Sequence, residues 1–144
     1  MGRSRGLSKE QRRALDRLRA IPGIERLVAY PYSPAAPLLP GPSGFKMASL
    51  LDLGVMKVAA ISRRGIRRDF WDLHTIVHAG VPLGEIVAAY ATSVGASASN
   101  LYHVLRSLTW FEDAERDEEA LAGLTPKRWR EIKRFFDAEV PGLL

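Results

Sequence analysis

The side chains with the clearest potential for chemistry are Lys57, Asp69 and Asp72, inside the stretch LLDLGVMKVAAISRRGIRRDFWDL that runs from Leu50 to Leu73. Lys57 stands in an otherwise almost wholly apolar helical pattern, on the same stripe as Leu50, Leu53, Gly54, Val58 and Ile61 at helical spacing. An ammonium buried there without a partner costs far more than the helix returns, so it needs an acid nearby. Asp69 and Asp72 open the next helical pattern and are the nearest candidates. Two readings of Lys57 stay open: it snorkels its head to the surface, or it serves as a cation that contacts the phosphates of a bound nucleotide. Gly54, one turn earlier, would let another backbone or a ligand approach closely.

Around these residues lies a basic turn, Arg63, Arg64, Arg67 and Arg68. It reads either as a solvated loop or as a phosphate-facing cluster. Arg68 and Asp72 sit four apart and can pair on a helix surface, and Asp69 in a first helical turn is favoured by the helix dipole. His74 and His78 also share a face, but no third ligand stands at matching spacing, so no metal site is expected. The serines near His103 read as helix caps, with no nucleophile elbow. Trp71, Trp110 and Trp129 fall at core or edge spacings.

The elements that position these groups are mostly helices. Ser8 to Ala20 reads as a helix capped by Ser8 with Gln11 completing a capping box, and Pro22-Gly23 stops it. Arg26 to Tyr32 is β-like. Ser33 to Ser43 is proline-rich and excludes a regular helix or a central strand, and Phe45 to Ala48 is a short extended piece. Ser49 caps the Lys57 helix, with Asp52 in its first turn and Gly65 as its stop. Further helices are expected over Arg67–Ala79, from Pro82 to about Ser93, from Ser97 or Ser99 through Leu108, over Glu112–Leu121 as an exposed helix, and after the Thr125-Pro126 cap with the face Trp129, Ile132, Phe135 and Phe136. The fold class is therefore α+β, mainly helical, with about six helices and a small strand element. The organisation is 1–26 N-terminal helix, 27–48 strand and proline-rich connection, and 49–144 helical domain.

Composition narrows the function classes. The chain has 144 residues, 47% hydrophobic and 26% charged, which suits one modest domain with a real core. It has no cysteine, which excludes disulfides and thiolate chemistry and fits a reducing cytoplasm. No signal peptide and no membrane span is expected. The net charge of +5 is concentrated in Arg3 to Arg19 and in Lys127 to Arg134, with an acidic block, Glu112 to Glu119, between them. The basic groups read as solvated helix faces or as surfaces for phosphate backbones.

The combination of Lys57 with the RRDFWDL box resembles the C-terminal signature of the AbiEii/AbiGii-type nucleotidyltransferase toxins. LSKEQRRALDRLRAIPGIER and LVAYPYSPAAPLLPGPSGFKMASLLDL are similar to the opening helix and the strand with proline-rich run of that family. The resemblance implies the helical C-terminal portion of a polymerase β-like nucleotidyltransferase of toxin–antitoxin and phage-defence type. It implies that Lys57 contacts nucleotide phosphates with Arg63 and Arg64 beside it, that Asp69 assists the site or anchors Lys57, and that Arg68 and Asp72 hold two helices together. It also implies Mg2+ and a nucleoside triphosphate as cofactors, transfer RNA or another RNA as acceptor, and a cognate antitoxin as partner. The family's adjacent glycine pair, and its strand-borne Asp-x-Asp whose acids hold magnesium, are not found in this sequence. The expectation is a deletion remnant, a misannotated gene or a trimmed form, with weak or no activity alone. The alternative is a helical module that binds nucleic acid or protein without catalysis.

Overall fold

The computed structural model describes Lys9, Arg13 and residues 34–41 and 46–144. Lys9 and Arg13 are helical and exposed. The rest of the expected Ser8–Ala20 helix, its Pro22-Gly23 stop, the Arg26–Tyr32 strand and Phe45 lie outside the described residues.

The chain enters through a small antiparallel ladder, β1 (Leu39–Pro40) and β2 (Lys46–Met47), in the register Leu39 to Met47 and Pro40 to Lys46. Pro40 has no N–H to give, so such a ladder cannot lengthen through it. Helix α1 (Leu50–Arg64) follows. Its cap is Ser49, whose hydroxyl accepts from the Asp52 amide. Next come α2 (Arg67–His78), α3 (Leu83–Val94), α4 (Ala98–Ser107), the short α5 (Glu112–Arg116), α6 (Pro126–Glu139) and a final 3₁₀ turn (Val140–Leu143). Ser97 and Thr125 cap α4 and α6 as their sequence positions suggest, accepting from the amides of Asn100 and Arg128. The left-handed φ of +61° at Gly95 and the φ of +112° at Gly80 end α3 and the turn after α2, conformations that glycine adopts without strain. The architecture is mainly helical with a small two-stranded sheet. Among the described residues no helix is long and apolar enough to cross a membrane.

The core forms where α1 lies against α2 and α3, and where α2 lies against α6. Phe70, Leu73, Ile86, Leu108, Ile132 and Phe136 are fully buried. Phe70 is the centre of an aromatic cluster, with ring centroids 5.3 Å from Phe111, 5.5 Å from Phe136 and 6.0 Å from Trp129. Tilted and edge-on packing of this kind adds to the burial of the rings themselves. The close approach expected at Gly54 is made by α3: a Cβ added there would meet Ile86 Cδ1 at 2.8 Å.

Three expectations are corrected. Leu50 and Leu53 are not on the buried face of α1; they are 44% and 39% exposed, because α1 turns Gly54, Val55, Val58 and Ile61 toward its neighbours. Lys57 therefore stands at the edge of the apolar stripe. The helix expected over Glu112–Leu121 stops at Arg116. Acids favour its first turn, but Asp117, Glu118 and Glu119 would crowd the negative end of the dipole. Instead Asp117 Oδ1 accepts from the Glu119 amide in a local turn. Trp110 is not packed in the core or against its edge but is 58% exposed.

Candidate functional site

Lys57 sits two helical turns into α1, on the side that meets the beginning of α2. That side brings it to both predicted acids. Its Nζ lies 3.2 Å from Asp69 Oδ1, to which it donates a hydrogen bond, and 2.8 Å from Asp72 Oδ2. The three side chains are 25%, 13% and 42% exposed, Lys57 first and Asp72 last, so the ammonium is held at a rim rather than sealed in the core. The two carboxylates reach it together because they are three residues apart on one helix face. An ammonium has three protons to give. Asp69 takes one of them and Asp72 lies within ion-pair distance, and among the described residues Lys57 has no further acidic partner.

Asp52, assigned by its position only to the helix dipole, has a larger role. It is 3% exposed, and its carboxylate accepts from the amides of Ala35 and Ala36 at 2.7 and 3.2 Å and from the Ser49 hydroxyl at 2.9 Å. These bonds tie the proline-rich segment to the start of the Lys57 helix. The Ser49-x-x-Asp52 spacing, a capping-box pattern ahead of an apolar run, was the signal in the sequence.

The basic turn divides. Arg67 donates to the Ala114 carbonyl at 3.0 Å and lies 3.6 Å from Glu115, and Arg68 is 3.4 Å from Glu119. These contacts dock α2 on the acidic block. Six residues beyond Lys57, Arg63 points about 240° away around the helix, whereas Arg64, seven beyond, returns to the Lys57 side. Arg63 donates to the Ala59 carbonyl at 3.3 Å and lines an open cleft of about 270 Å³ with His103, Arg106, Trp110 and Asp113. His103, Arg106 and Trp110 were not singled out from the sequence as a group, since they come from the end of α4 and the turn after it and meet Arg63 only in the fold.

Glu115 is a second charged centre. It accepts from Lys133 Nζ and from Trp129 Nε1, and the hydrogen bond from Lys133 holds its carboxyl below the usual range in spite of partial burial. Farther along α2, His74 and His78 stack with centroids 4.0 Å apart, and His78 Nδ1 is 2.8 Å from the His74 carbonyl. Burial, then the neighbouring His78 and Arg128, push the His74 pKa down. They line a groove of about 750 Å³ with Trp71, Asp72 and Arg128. Among the described residues no group of three or more His, Asp or Glu side chains is placed to hold a metal ion. Asp69 and Asp72 do not fit a magnesium cradle either, since both converge on an ammonium.

The chain belongs to the AbiEii nucleotidyl transferase toxin family of type IV toxin–antitoxin systems, whose model matches residues 14–142. It is also similar to an uncharacterised protein of Aquifex aeolicus (strain VF5), 31% identical over 110 residues, which cover 72% of this chain and 51% of that protein. The chain thus spans about half the length of the curated relative it matches. No solved structure matches it.

Proposed function

We infer that this chain takes part in transferring a nucleotide from a nucleoside triphosphate to RNA, transfer RNA being the first acceptor to test, as a toxin opposed by a cognate antitoxin. The observation that carries this reading is the Lys57 clasp: an accessible ammonium, fixed by Asp69 and Asp72, with no further acidic partner among the described residues. Lys57 is the phosphate-contacting cation. Asp69 positions it, and Asp72 closes the other side of the clasp. Arg64 can add a second positive charge about 10 Å along the same side of α1. Arg63, turned away from Lys57, serves a different part of the substrate in this reading. Arg68 works with Asp72 and Glu119 in holding α2 against its neighbours.

Magnesium accompanies the triphosphate in chemistry of this class and offsets the charge that develops on the transferring group. The described acids do not form its site, so metal-dependent transfer needs carboxylates from outside the described residues. The test is label transfer from each labelled nucleoside triphosphate to transfer RNA with magnesium, beside Lys57→Ala. Label on RNA that falls at least a hundredfold in the variant, with the fold retained by circular dichroism, is expected. Label unchanged in the variant refutes the role of Lys57, and no label from folded chain refutes transfer by this chain alone. The second reading, a binding module without catalysis, is favoured by the exposed Lys127, Arg128, Arg130 and Arg134 of α6. It predicts RNA binding that is indifferent to Lys57 and falls steeply with salt.

A further inference from the structure

The cleft that Arg63 lines is built from three elements: the end of α1, the last two turns of α4 and the turn that follows them. Its hydroxyl groups spend their protons on the helices they belong to. Ser62 donates to the Ala59 carbonyl, Ser107 to Val104 and Thr109 to Arg106. The side-chain donors that remain for a ligand are the guanidiniums of Arg63 and Arg106, with the imidazole of His103 beside them.

Neither arginine has a carboxylate within ion-pair distance among the described residues, although an acidic block follows directly in the chain. That block is engaged elsewhere: Glu112 with Arg116, Glu115 with Lys133 and Arg67, Glu119 with Arg68. Two guanidiniums lining one cleft, neither in an ion pair among the described residues, are suited to a phosphate.

Beside them stands Trp110, 58% exposed. A large apolar ring left in water next to bare guanidiniums matches a ligand with both a planar face and an anionic group. Asp113 is the acid of the cleft; it would repel a second phosphate but can accept from the exocyclic amine of a base. The cleft volume of about 270 Å³ lies just under the roughly 300 Å³ at which ligand pockets begin, so it can seat no more than part of one nucleotide unit.

We propose that the Arg63–Arg106–Trp110 cleft holds one unpaired nucleotide of a single-stranded RNA, with its phosphate on the two arginines and its base stacked on Trp110. The choice of RNA rests on the transfer reading above, and the cleft would then hold the acceptor strand while Lys57 serves the triphosphate. A base inside a duplex is already stacked on both faces and cannot take this place. Stacking on an exposed aromatic ring tolerates any base, so affinity depends on the strand being open more than on its sequence.

The experiment is fluorescence anisotropy with a labelled single-stranded RNA octamer, without magnesium or triphosphate, against the same sequence as a duplex. Trp110→Ala is expected to weaken strand binding about 5- to 150-fold, and Trp110→Phe to keep most of it. Arg63→Ala with Arg106→Ala is expected to flatten the slope of log affinity against log salt by about 0.7 for each phosphate charge no longer neutralised. These side chains are exposed, and thermal melts of each variant confirm that the fold is kept. Strand affinity unchanged by Trp110→Ala, or duplex bound as tightly as the open strand, overturns the proposal. Strand binding that depends on Trp110 in a chain without label transfer would sink the transfer reading alone, whereas transfer that survives loss of the cleft would sink the cleft alone.

Discussion

Removing the ammonium from the Lys57 clasp should separate two ion pairs that look alike by distance. At 3.2 Å, the Lys57–Asp69 separation, unit charges attract by about 1.3 kcal/mol in bulk water and about 5 kcal/mol at an effective dielectric of 20. Asp72 is closer, at 2.8 Å, so distance alone ranks it first. Exposure reverses the order: Asp69 is 13% exposed and Asp72 is 42% exposed, so water screens the second pair much more. Fully buried pairs lose about 3–5 kcal/mol when one partner is removed, and exposed pairs couple by about 0.2–1 kcal/mol. The partly exposed Lys57 places its coupling to Asp69 between these limits, at about 1–2 kcal/mol, and its coupling to Asp72 at about 0.5 kcal/mol or less. The assay is urea unfolding of double-mutant cycles, Lys57→Met with Asp69→Asn and Lys57→Met with Asp72→Asn, at low salt and at 1 M salt. At 1 M salt the screening length falls to about 3 Å, so the Asp72 coupling should vanish and part of the Asp69 coupling should remain. A larger coupling to Asp72 than to Asp69, or two couplings equally sensitive to salt, would show that burial does not decide the ranking.

Gly65→Ala tests the junction between α1 and α2. Its φ of −74° is open to any residue, so backbone entropy alone predicts a gain of about 0.4–1 kcal/mol. An added Cβ would, however, stand 2.8 Å from a ring carbon of the fully buried Phe70, and the expected result is a net loss of about 1–3 kcal/mol in urea unfolding. An unchanged or raised midpoint refutes it. Glu115 gives a pH prediction: its folded pKa lies below the ordinary 4.5, chiefly through the Lys133 hydrogen bond. Its stabilising contribution is therefore complete above that ordinary value and is lost as pH falls through the lowered folded value. Thermal melts from pH 5.5 to 3 should fall less steeply for Glu115→Gln than for the parent, and parallel curves would exclude the linkage.

Local signals carried far in this chain. Ser49, Ser97 and Thr125 announce their helices because a cap is an interaction over three residues. Lys57 could be matched to Asp69 and Asp72 because helices joined by so short a turn must lie side by side. Legibility ended where a property depends on which neighbour arrives. Leu50 and Leu53 fit an apolar stripe as well as Val55 and Val58 do, but the packing of α3 against Gly54 decides which edge is covered. Arg63 is separated from Arg106 and Trp110 by two whole helices and most of a third, and only their convergence turns three ordinary surface residues into a cleft. The early end of α5 needed the summed repulsion of Asp117, Glu118 and Glu119 against the helix end, which periodicity does not register.

The carboxylate of Asp52 works as a clasp on a loop. It joins Ala35 to a position 17 residues later, so the ladder of Leu39–Pro40 with Lys46–Met47 hangs in a closed bight whose two ends meet at the first turn of α1. The entropy of closing such a bight grows slowly, by about 0.6 kcal/mol for each doubling of its length. The segment between the two strands can therefore be lengthened or shortened at little energetic penalty, and the clasp prevents the change from propagating into the helix. Lys57 lies little more than one turn beyond it. The hairpin is thus a module whose size and surface can vary independently of the cation site.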